Sequence, residues 1–118
     1  MLIVDDDAET REAFAALAEA RGLDAVGARD APQALDYLRH GARPCLILLD
    51  LYMPGMDGFA FRRQQLEDTA LATIPTAIVS GGGPADEVAA RSLGIVTFLR
   101  KPVDAGALLR LLAEYCDA

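Results

Sequence analysis

Residues 45–50 read CLILLD, an uninterrupted apolar run that ends in a single carboxylate. A strand with one face in water alternates apolar and polar residues, whereas a strand buried on both faces is apolar throughout. Because helices cover both faces of a parallel sheet, this run predicts an inner strand of such a sheet. Asp50 would then stand at the carboxyl end of a buried strand, the end at which parallel sheets bind their ligands.

Four further apolar runs lie at intervals on both sides of this segment: LIV (2–4), DAVGA (24–28), TAIVS (76–80) and VTFLR (96–100). The stretches between the runs carry apolar residues three or four positions apart, which is the spacing of one face of an α-helix. Residues typical of helix starts and helix ends flank these stretches. The predicted starts are Asp30, Asp57, Gly83-Pro84 and Asp104, and the predicted ends are Gly22, Gly41 and Gly94.

This alternation of five strands with five helices predicts a single α/β domain that covers residues 1–118. Right-handed crossovers between parallel strands place helices on both faces of the sheet and give a doubly wound, three-layer arrangement. The carboxyl ends of the strands then meet at one edge, where the ligand crevice lies. We therefore expect the functional residues to follow the apolar runs directly.

Composition and charge narrow the kinds of partner that the chain can bind. Hydrophobic residues make up 53% of the chain and charged residues 25%, which suits a folded domain rather than a disordered one. No apolar run approaches the ~18 residues of a membrane helix, and the N-terminus lacks the features of a secretory signal. The net charge of -7 disfavours direct nucleic-acid binding. We expect a cytoplasmic protein. Because thiols in that compartment are kept reduced, the two cysteines, Cys45 and Cys116, are expected to be free.

Four of the five predicted strands lead into side chains with useful chemistry. Asp5 and Asp6 follow the first strand, Asp50 ends the third, Ser80 ends the fourth, and Lys101 follows the fifth. Carboxylates gathered at one edge need a counter-ion, and hard oxygen ligands suit Mg²⁺ or Mn²⁺. A metal and Lys101 would neutralise a phosphoryl group transferred to Asp50, and the Ser80 hydroxyl would donate to it. The predicted chemistry is formation of an aspartyl phosphate on Asp50.

Four motifs carry a resemblance to a known family: IVDDD (3–7), LLDLYMPGMDG (48–58), VSG (79–81) and LRKP (99–102). In this order on a (βα)5 pattern, they resemble the receiver domain of bacterial response regulators, over essentially the whole chain. The resemblance implies a flavodoxin-like fold with strand order 2-1-3-4-5, the order of the chemotaxis receiver. It also implies a phosphoacceptor domain of two-component signalling, which catalyses only its own phosphotransfer and autodephosphorylation and is not otherwise an enzyme.

The resemblance assigns roles to individual residues of this site. Asp50 matches the phosphoacceptor, and Asp5 and Asp6 match the acidic pair that holds the divalent metal together with Asp50. The backbone carbonyl of Tyr52 matches the remaining protein ligand of that metal. Lys101 matches the lysine that stands before a cis-proline. Because residue 52 is tyrosine, the second catalytic aspartate of metal-dependent aspartyl phosphatases is missing, and turnover of external substrates is not expected.

A conformational switch is also implied by the resemblance. Ser80 matches the switch hydroxyl and Phe98 the switch aromatic, although an aromatic in a strand also serves as plain packing. In the family, phosphorylation draws the hydroxyl inward and reshapes the face made by the fourth helix, the fifth strand and the fifth helix. The implied partners are a sensor histidine kinase or histidine phosphotransfer protein upstream and a protein target at this face, with no nucleic acid and no membrane.

Two other functions of the same fold stay open at this point. The domain would be a phosphorelay carrier if it passed its phosphoryl group on to a histidine phosphotransfer protein. It would be a receiver-like adaptor if it bound partners without being phosphorylated. The complete set of chemical groups argues against the adaptor: Asp5, Asp6, Asp50, Ser80 and Lys101.

Some positions depart from the family pattern or stand beside the site. Tyr52 is larger than the small or polar residues that are common there, and its side chain would shade an aspartyl phosphate from water. Val96 and Thr97 replace the acidic pair with which many transcription-factor receivers form a dimer. Asp7 is predicted to cap the first helix with its carboxylate rather than to bind metal.

Overall fold

The structure, a computed structural model, describes residues 1–117, in which five strands alternate with five helices. The strands are β1 (Leu2–Val4), β2 (Val26–Ala28), β3 (Ile47–Asp50), β4 (Thr76–Ser80) and β5 (Thr97–Arg100). The helices are α1 (Ala8–Glu19), α2 (Ala31–Arg39), α3 (Gly58–Glu67), α4 (Pro84–Arg91) and α5 (Ala105–Cys116). None of these helices has the length and apolar character that crossing a membrane requires.

All five strands run parallel in one sheet, in the order β2-β1-β3-β4-β5, which confirms the predicted fold. The predicted inner strand β3 lies at the centre, and its apolar residues Ile47, Leu48 and Leu49 are all buried. The register pairs Asp50 with Val79 on β4, one position before Ser80. The carboxyl ends of β3 and β4 therefore lie side by side at one edge of the sheet.

Helices cover both faces of the sheet and divide the apolar core into two clusters. One cluster contains Leu35 of α2, Phe61 of α3 and Ala90 of α4, packed on the sheet face that Ile47 and Leu49 present.

The second cluster lies on the other face of the sheet and contains Phe14 of α1, Leu108 and Leu112 of α5, and Leu48 from β3. Successive residues of β3 thus point into opposite clusters, as the period of a strand requires. The result is the three-layer arrangement predicted from the alternating runs.

Aspartates cap three of the helices as predicted. Asp30, Asp57 and Asp104 each accept a hydrogen bond from the backbone N–H three positions on, at 2.9, 2.9 and 3.2 Å. Asp7 also occupies the N-cap position of α1, but it makes no side-chain cap hydrogen bond to the backbone. Its carboxylate instead accepts from the Thr10 hydroxyl at 2.6 Å. The prediction was therefore right about the position of Asp7 and wrong about its partner.

The prediction of two free thiols is wrong: Cys45 and Cys116 form a disulfide, with their Cα atoms 5.3 Å apart. The helix of a βα unit runs back against its strand, so α5 ends at the amino edge of the sheet, where β3 begins. Cys45 stands just before β3 and Cys116 is the last residue of α5. Sequence spacing could not reveal the pairing, because 71 positions separate the two residues.

A buried cation that the sequence analysis did not single out joins α3 to the end of α4. Arg62 is only 4% exposed. Its guanidinium donates to the carbonyls of Leu93 and Gly94 at 3.0 and 3.1 Å, and to the side-chain oxygen of Gln65 at 2.9 Å. Burial lowers the pKa of Arg62. Since these acceptors are neutral, the hydrogen bonds rather than an ion pair compensate for the loss of water around the charge.

Candidate functional site

The carboxyl edge of the sheet brings the predicted acidic residues and the lysine together. Asp5 follows β1, Asp50 ends β3, and Lys101 follows β5. A carboxylate oxygen from each of Asp5, Asp6 and Asp50 can be chosen so that all three atoms lie within 4.8 Å of one another. Lys101 Nζ lies 3.3 Å from Asp50 Oδ1 and 3.5 Å from Asp5 Oδ2. Residues almost a hundred positions apart thus share one small site.

Burial and charge set the protonation of this cluster. Asp50 is 5% exposed and Asp5 is 2% exposed. Burial raises the pKa of Asp50, and the negative charge of Asp5 raises it further, while Lys101 opposes both effects. For Lys101, burial by itself lowers the pKa, but the attraction of Asp50 and Asp5 outweighs it and the pKa rises. The ammonium therefore remains charged and serves as counter-ion to both buried carboxylates.

The three consecutive aspartates differ in their contacts. Asp5 Oδ1 accepts from the Asp7 backbone N–H at 2.9 Å, and the Arg11 guanidinium donates to the Asp5 carbonyl at 2.8 Å. Asp6, in contrast, is exposed to solvent. The hydrogen bond from the Thr10 hydroxyl lowers the pKa of Asp7. One aspartate is therefore fixed in the site, one can reach both the site and water, and one belongs to the start of α1.

The glycine that begins α3 packs closely against the end of β3. The Gly58 N–H donates to the Leu51 carbonyl at 2.8 Å. A Cβ atom at residue 58 would lie 2.7 Å from the Asp50 carbonyl oxygen and 2.9 Å from Leu51 Cα. These neighbours are backbone atoms, which cannot turn aside as a side chain can. The final glycine of the MPGMDG motif is therefore required by close packing against the backbone of Asp50.

Ser80 is only 1% exposed, and its hydroxyl accepts a hydrogen bond from the Gly82 N–H at 2.9 Å. Of the glycines that follow, Gly82 is the crowded one, because a Cβ atom there would collide with Asp86 Oδ2. A Cβ atom at Gly81 would meet nothing within 4 Å. The carboxylate of Asp86, from the first turn of α4, thus occupies the space beside the Ser80 turn.

Asp86 is a residue of the site that the sequence analysis missed. It accepts a hydrogen bond from the Tyr52 hydroxyl at 2.6 Å. Tyr52 is 57% exposed, so its ring lies at the protein surface and is not part of the core. The acidic pair that opens α4 in GPADE reads as an ordinary helix start. Nothing in that pattern indicates a partner 34 positions away.

Phe98 and Arg100 connect β5 to the same region. Phe98 is 8% exposed and packs in the cluster on the α2–α3–α4 face of the sheet. The Arg100 guanidinium lies 5.6 Å from the centre of the Phe98 ring. It also donates to the Gly82 carbonyl at 3.0 Å and to Glu87 Oε1 at 2.9 Å. Arg100 therefore covers the aromatic and ties the end of β5 to the start of α4.

Comparison with protein families now identifies this arrangement. The family described as the response regulator receiver domain matches residues 1–113. The chain belongs to this family. Receiver domains are the signal-receiving parts of two-component response regulators, and the five-stranded parallel sheet in the order β2-β1-β3-β4-β5 is their fold.

Known proteins similar to this receiver domain differ in length. Protein PilH of Pseudomonas aeruginosa is 31% identical, over 95% of this chain and 93% of its own. Response regulator Rre1 of Synechocystis is 34% identical over 88% of this chain, which spans 46% of that protein. A crystal structure of a response regulator receiver protein from Pseudomonas putida is 39% identical, with a TM-score of 0.89, and 96% and 93% of the two chains are covered. Similar receiver domains thus occur both alone and as part of longer proteins.

Proposed function

We propose that this receiver domain accepts a phosphoryl group on Asp50 from a histidine kinase or histidine phosphotransfer protein in the cytoplasm, and signals through a change of shape. The observation that carries the proposal is the environment of Asp50. It is a buried carboxylate at the end of the central strand, with the Lys101 ammonium at 3.3 Å and the carboxylates of Asp5 and Asp6 beside it. A carboxylate held solely for stability would not require two further carboxylates next to it, since like charges repel.

The donor atoms at this site fit a hard divalent cation. Asp5, Asp6, Asp50 and the backbone carbonyl of Tyr52 would hold Mg²⁺ or Mn²⁺, because such ions favour a few oxygen ligands with water completing the shell. The exposure of Asp6 leaves room for that water. When bound, the cation supplies positive charge that offsets the phosphoryl oxygens.

The residues of the chain supply the remaining parts of the transfer. An oxygen of Asp50 attacks phosphorus, and the O–P bond forms while the P–N bond to the donor imidazole breaks. The electron pair of that bond leaves with the imidazole nitrogen, which takes up a proton. Lys101 balances the charge of the arriving group from its place beside Asp50. The Ser80 hydroxyl accepts from Gly82 in this structure, so its own proton is available for a phosphoryl oxygen.

The proposed output is a change at the face formed by α4, β5 and α5. Ser80 and Phe98 would carry it, as the family resemblance implies, and they lie on the neighbouring strands β4 and β5. Val88 of α4 is 72% exposed and offers an apolar contact for a protein target. Phosphoryl transfer from Asp50 back to a histidine phosphotransfer protein would identify a relay carrier instead.

Incubation with acetyl phosphate and Mg²⁺, followed by intact mass measurement, tests the proposal. Wild type is expected to gain the mass of one phosphoryl group, and Asp50→Asn is expected to gain none. Asp57→Asn is the matched control, because asparagine caps a helix as well as aspartate does and α3 should be unaffected. A wild-type protein that gains no mass, or an Asp50→Asn variant that does, would overturn the proposal.

Gly58→Ala is expected to slow phosphoryl uptake and to destabilise the domain. The new methyl group must displace the backbone of Asp50 or Leu51, and overpacking of this kind costs about 1–3 kcal/mol. Uptake from acetyl phosphate and urea unfolding measure the two effects. Gly106→Ala, in the first turn of α5, is the control, because its nearest neighbours are the ends of flexible side chains. Equal uptake and stability in wild type and Gly58→Ala would contradict the expectation.

A further inference from the structure

The Tyr52 side chain extends from the loop after β3 toward the start of α4. Tyr52 stands two positions after Asp50, the last residue of β3. At the end of its side chain, the hydroxyl donates to Asp86 Oδ2 at 2.6 Å. The tyrosine hydroxyl is the donor in this bond, because a carboxylate can only accept. One side chain thus links the loop after β3 to the first turn of α4.

Asp86 places the far end of this link beside Ser80. Its Oδ2 fills the space that a Cβ atom of Gly82 would take, and Ser80 Oγ lies 3.2 Å from the same point. Asp50 and Ser80 end the adjacent strands β3 and β4. Tyr52 stands two positions after Asp50, and its hydroxyl contacts the Asp86 carboxylate beside the Ser80 turn, so the side chain connects the ends of the two strands.

We propose that Asp86 holds Tyr52 across the mouth of the acceptor site, so that water and small phosphodonors reach Asp50 only when this hydrogen bond opens. The proposal rests on the function proposed above, and it adds Asp86 as a positioning residue for the phosphoryl chemistry. Asp86 acts through the tyrosine ring and does not touch the reacting atoms. A gate of this kind slows entry and hydrolysis together, whereas a residue that stabilises the phosphoryl group slows hydrolysis alone.

Variants that remove the bond are expected to gain the phosphoryl group from acetyl phosphate, and then to lose it, about five-fold faster than wild type. This factor corresponds to one typical hydrogen bond of ~1 kcal/mol. Tyr52→Phe keeps the ring and loses the donor, and Asp86→Ala loses the acceptor. Asp86→Asn is the conservative variant, since its side-chain carbonyl still accepts from Tyr52 while its charge at the start of α4 is gone. It should therefore behave as wild type does.

Gly82→Ala provides a test in which neither Tyr52 nor Asp86 is substituted. The added methyl group must push Asp86 aside, which a flexible side chain allows without loss of the fold. Gly81→Ala is the matched control, because a methyl group there meets nothing within 4 Å. We expect Gly82→Ala to gain and to lose the phosphoryl group as fast as Tyr52→Phe does. Gly81→Ala should gain and lose it at the wild-type rates. Unfolding curves for each variant show that the rates belong to folded protein.

The outcomes separate this inference from the function on which it rests. If wild type takes up a phosphoryl group and all variants gain and lose it at wild-type rates, the gate is overturned and the proposed function stands. If the variants change only the rate of loss, Tyr52 protects the phosphoryl group without gating entry, and the gate is again overturned. If Asp86→Asn is as fast as Asp86→Ala, the charge rather than the hydrogen bond matters, and the proposal fails. If wild type takes up no phosphoryl group, both proposals fail.

Discussion

Reduction of the Cys45–Cys116 disulfide is expected to lower the free energy of unfolding by about 4 kcal/mol. The bond joins residues that are 71 positions apart. A cross-link over a loop of that length restricts the unfolded chain and stabilises the fold by about 4 kcal/mol in the chain-entropy account. The bond also holds the end of α5 against the edge where β3 begins. Cytoplasmic thiols are generally kept reduced, so in the proposed cytoplasmic location the domain would fold without this contribution.

Urea unfolding followed by circular dichroism measures the effect, since the chain contains no tryptophan for fluorescence. The oxidised protein is compared with and without a phosphine reductant, and a Cys45→Ala/Cys116→Ala variant serves as the control. The reductant should shift the midpoint of wild type and leave that of the double variant unchanged. Coincident wild-type curves, or two free thiols in protein purified without reductant, would contradict the expectation.

Arg62→Met is expected to destabilise the domain by about 1–3 kcal/mol, the usual cost of leaving buried polar groups without a partner. Methionine fills much of the space of the arginine stem, but it donates no hydrogen bond. The carbonyls of Leu93 and Gly94 and the side-chain oxygen of Gln65 would lose the donor that Arg62 supplies. The gain from no longer burying a charge offsets part of the loss. The end of α4 should loosen, because these bonds hold it to α3.

Arg63→Met is the matched control for this substitution. Arg63 is the next residue of α3, is exposed, and has its guanidinium 6.0 Å from the centre of the Phe59 ring. Surface changes of this type usually alter stability by no more than ~0.5 kcal/mol. Hydrogen exchange should also be faster in Arg62→Met at the amides that follow α4. If the two variants unfold at the same urea concentration, the buried arginine is not the anchor that its contacts indicate.

Much of the fold could be predicted from local patterns. The apolar run of β3 needs burial on both faces, and it lies at the centre of the sheet with Ile47 and Leu48 in opposite clusters. Asp30, Asp57 and Asp104 cap their helices because a cap depends on residues only three positions apart. The strand order came from the family resemblance, since hydrophobic patterns do not state which strands are neighbours.

Part of the site could also be predicted from the order of strands and chemical groups along the sequence. Once the strands are parallel, their carboxyl ends must meet, so Asp5, Asp50 and Lys101 were expected to share one edge and they do. The partner of Asp7 was predicted wrongly, because its carboxylate can turn either to the backbone or to Thr10 and the local pattern allows both.

By itself, the sequence determined the α/β class, the five strands, the helix starts and the edge at which the chemical groups collect. All of these depend on the period of buried residues along the chain or on contacts between near neighbours. Only the tertiary structure decided the Cys45–Cys116 bond, the Tyr52–Asp86 hydrogen bond and the neutral acceptors around Arg62. The disulfide, the Tyr52–Asp86 bond and the bonds from Arg62 to the carbonyls of Leu93 and Gly94 each join residues 31 or more positions apart, and their distances depend on how helices are placed on the sheet. No local pattern encodes that placement, because it arises from the packing of the whole core.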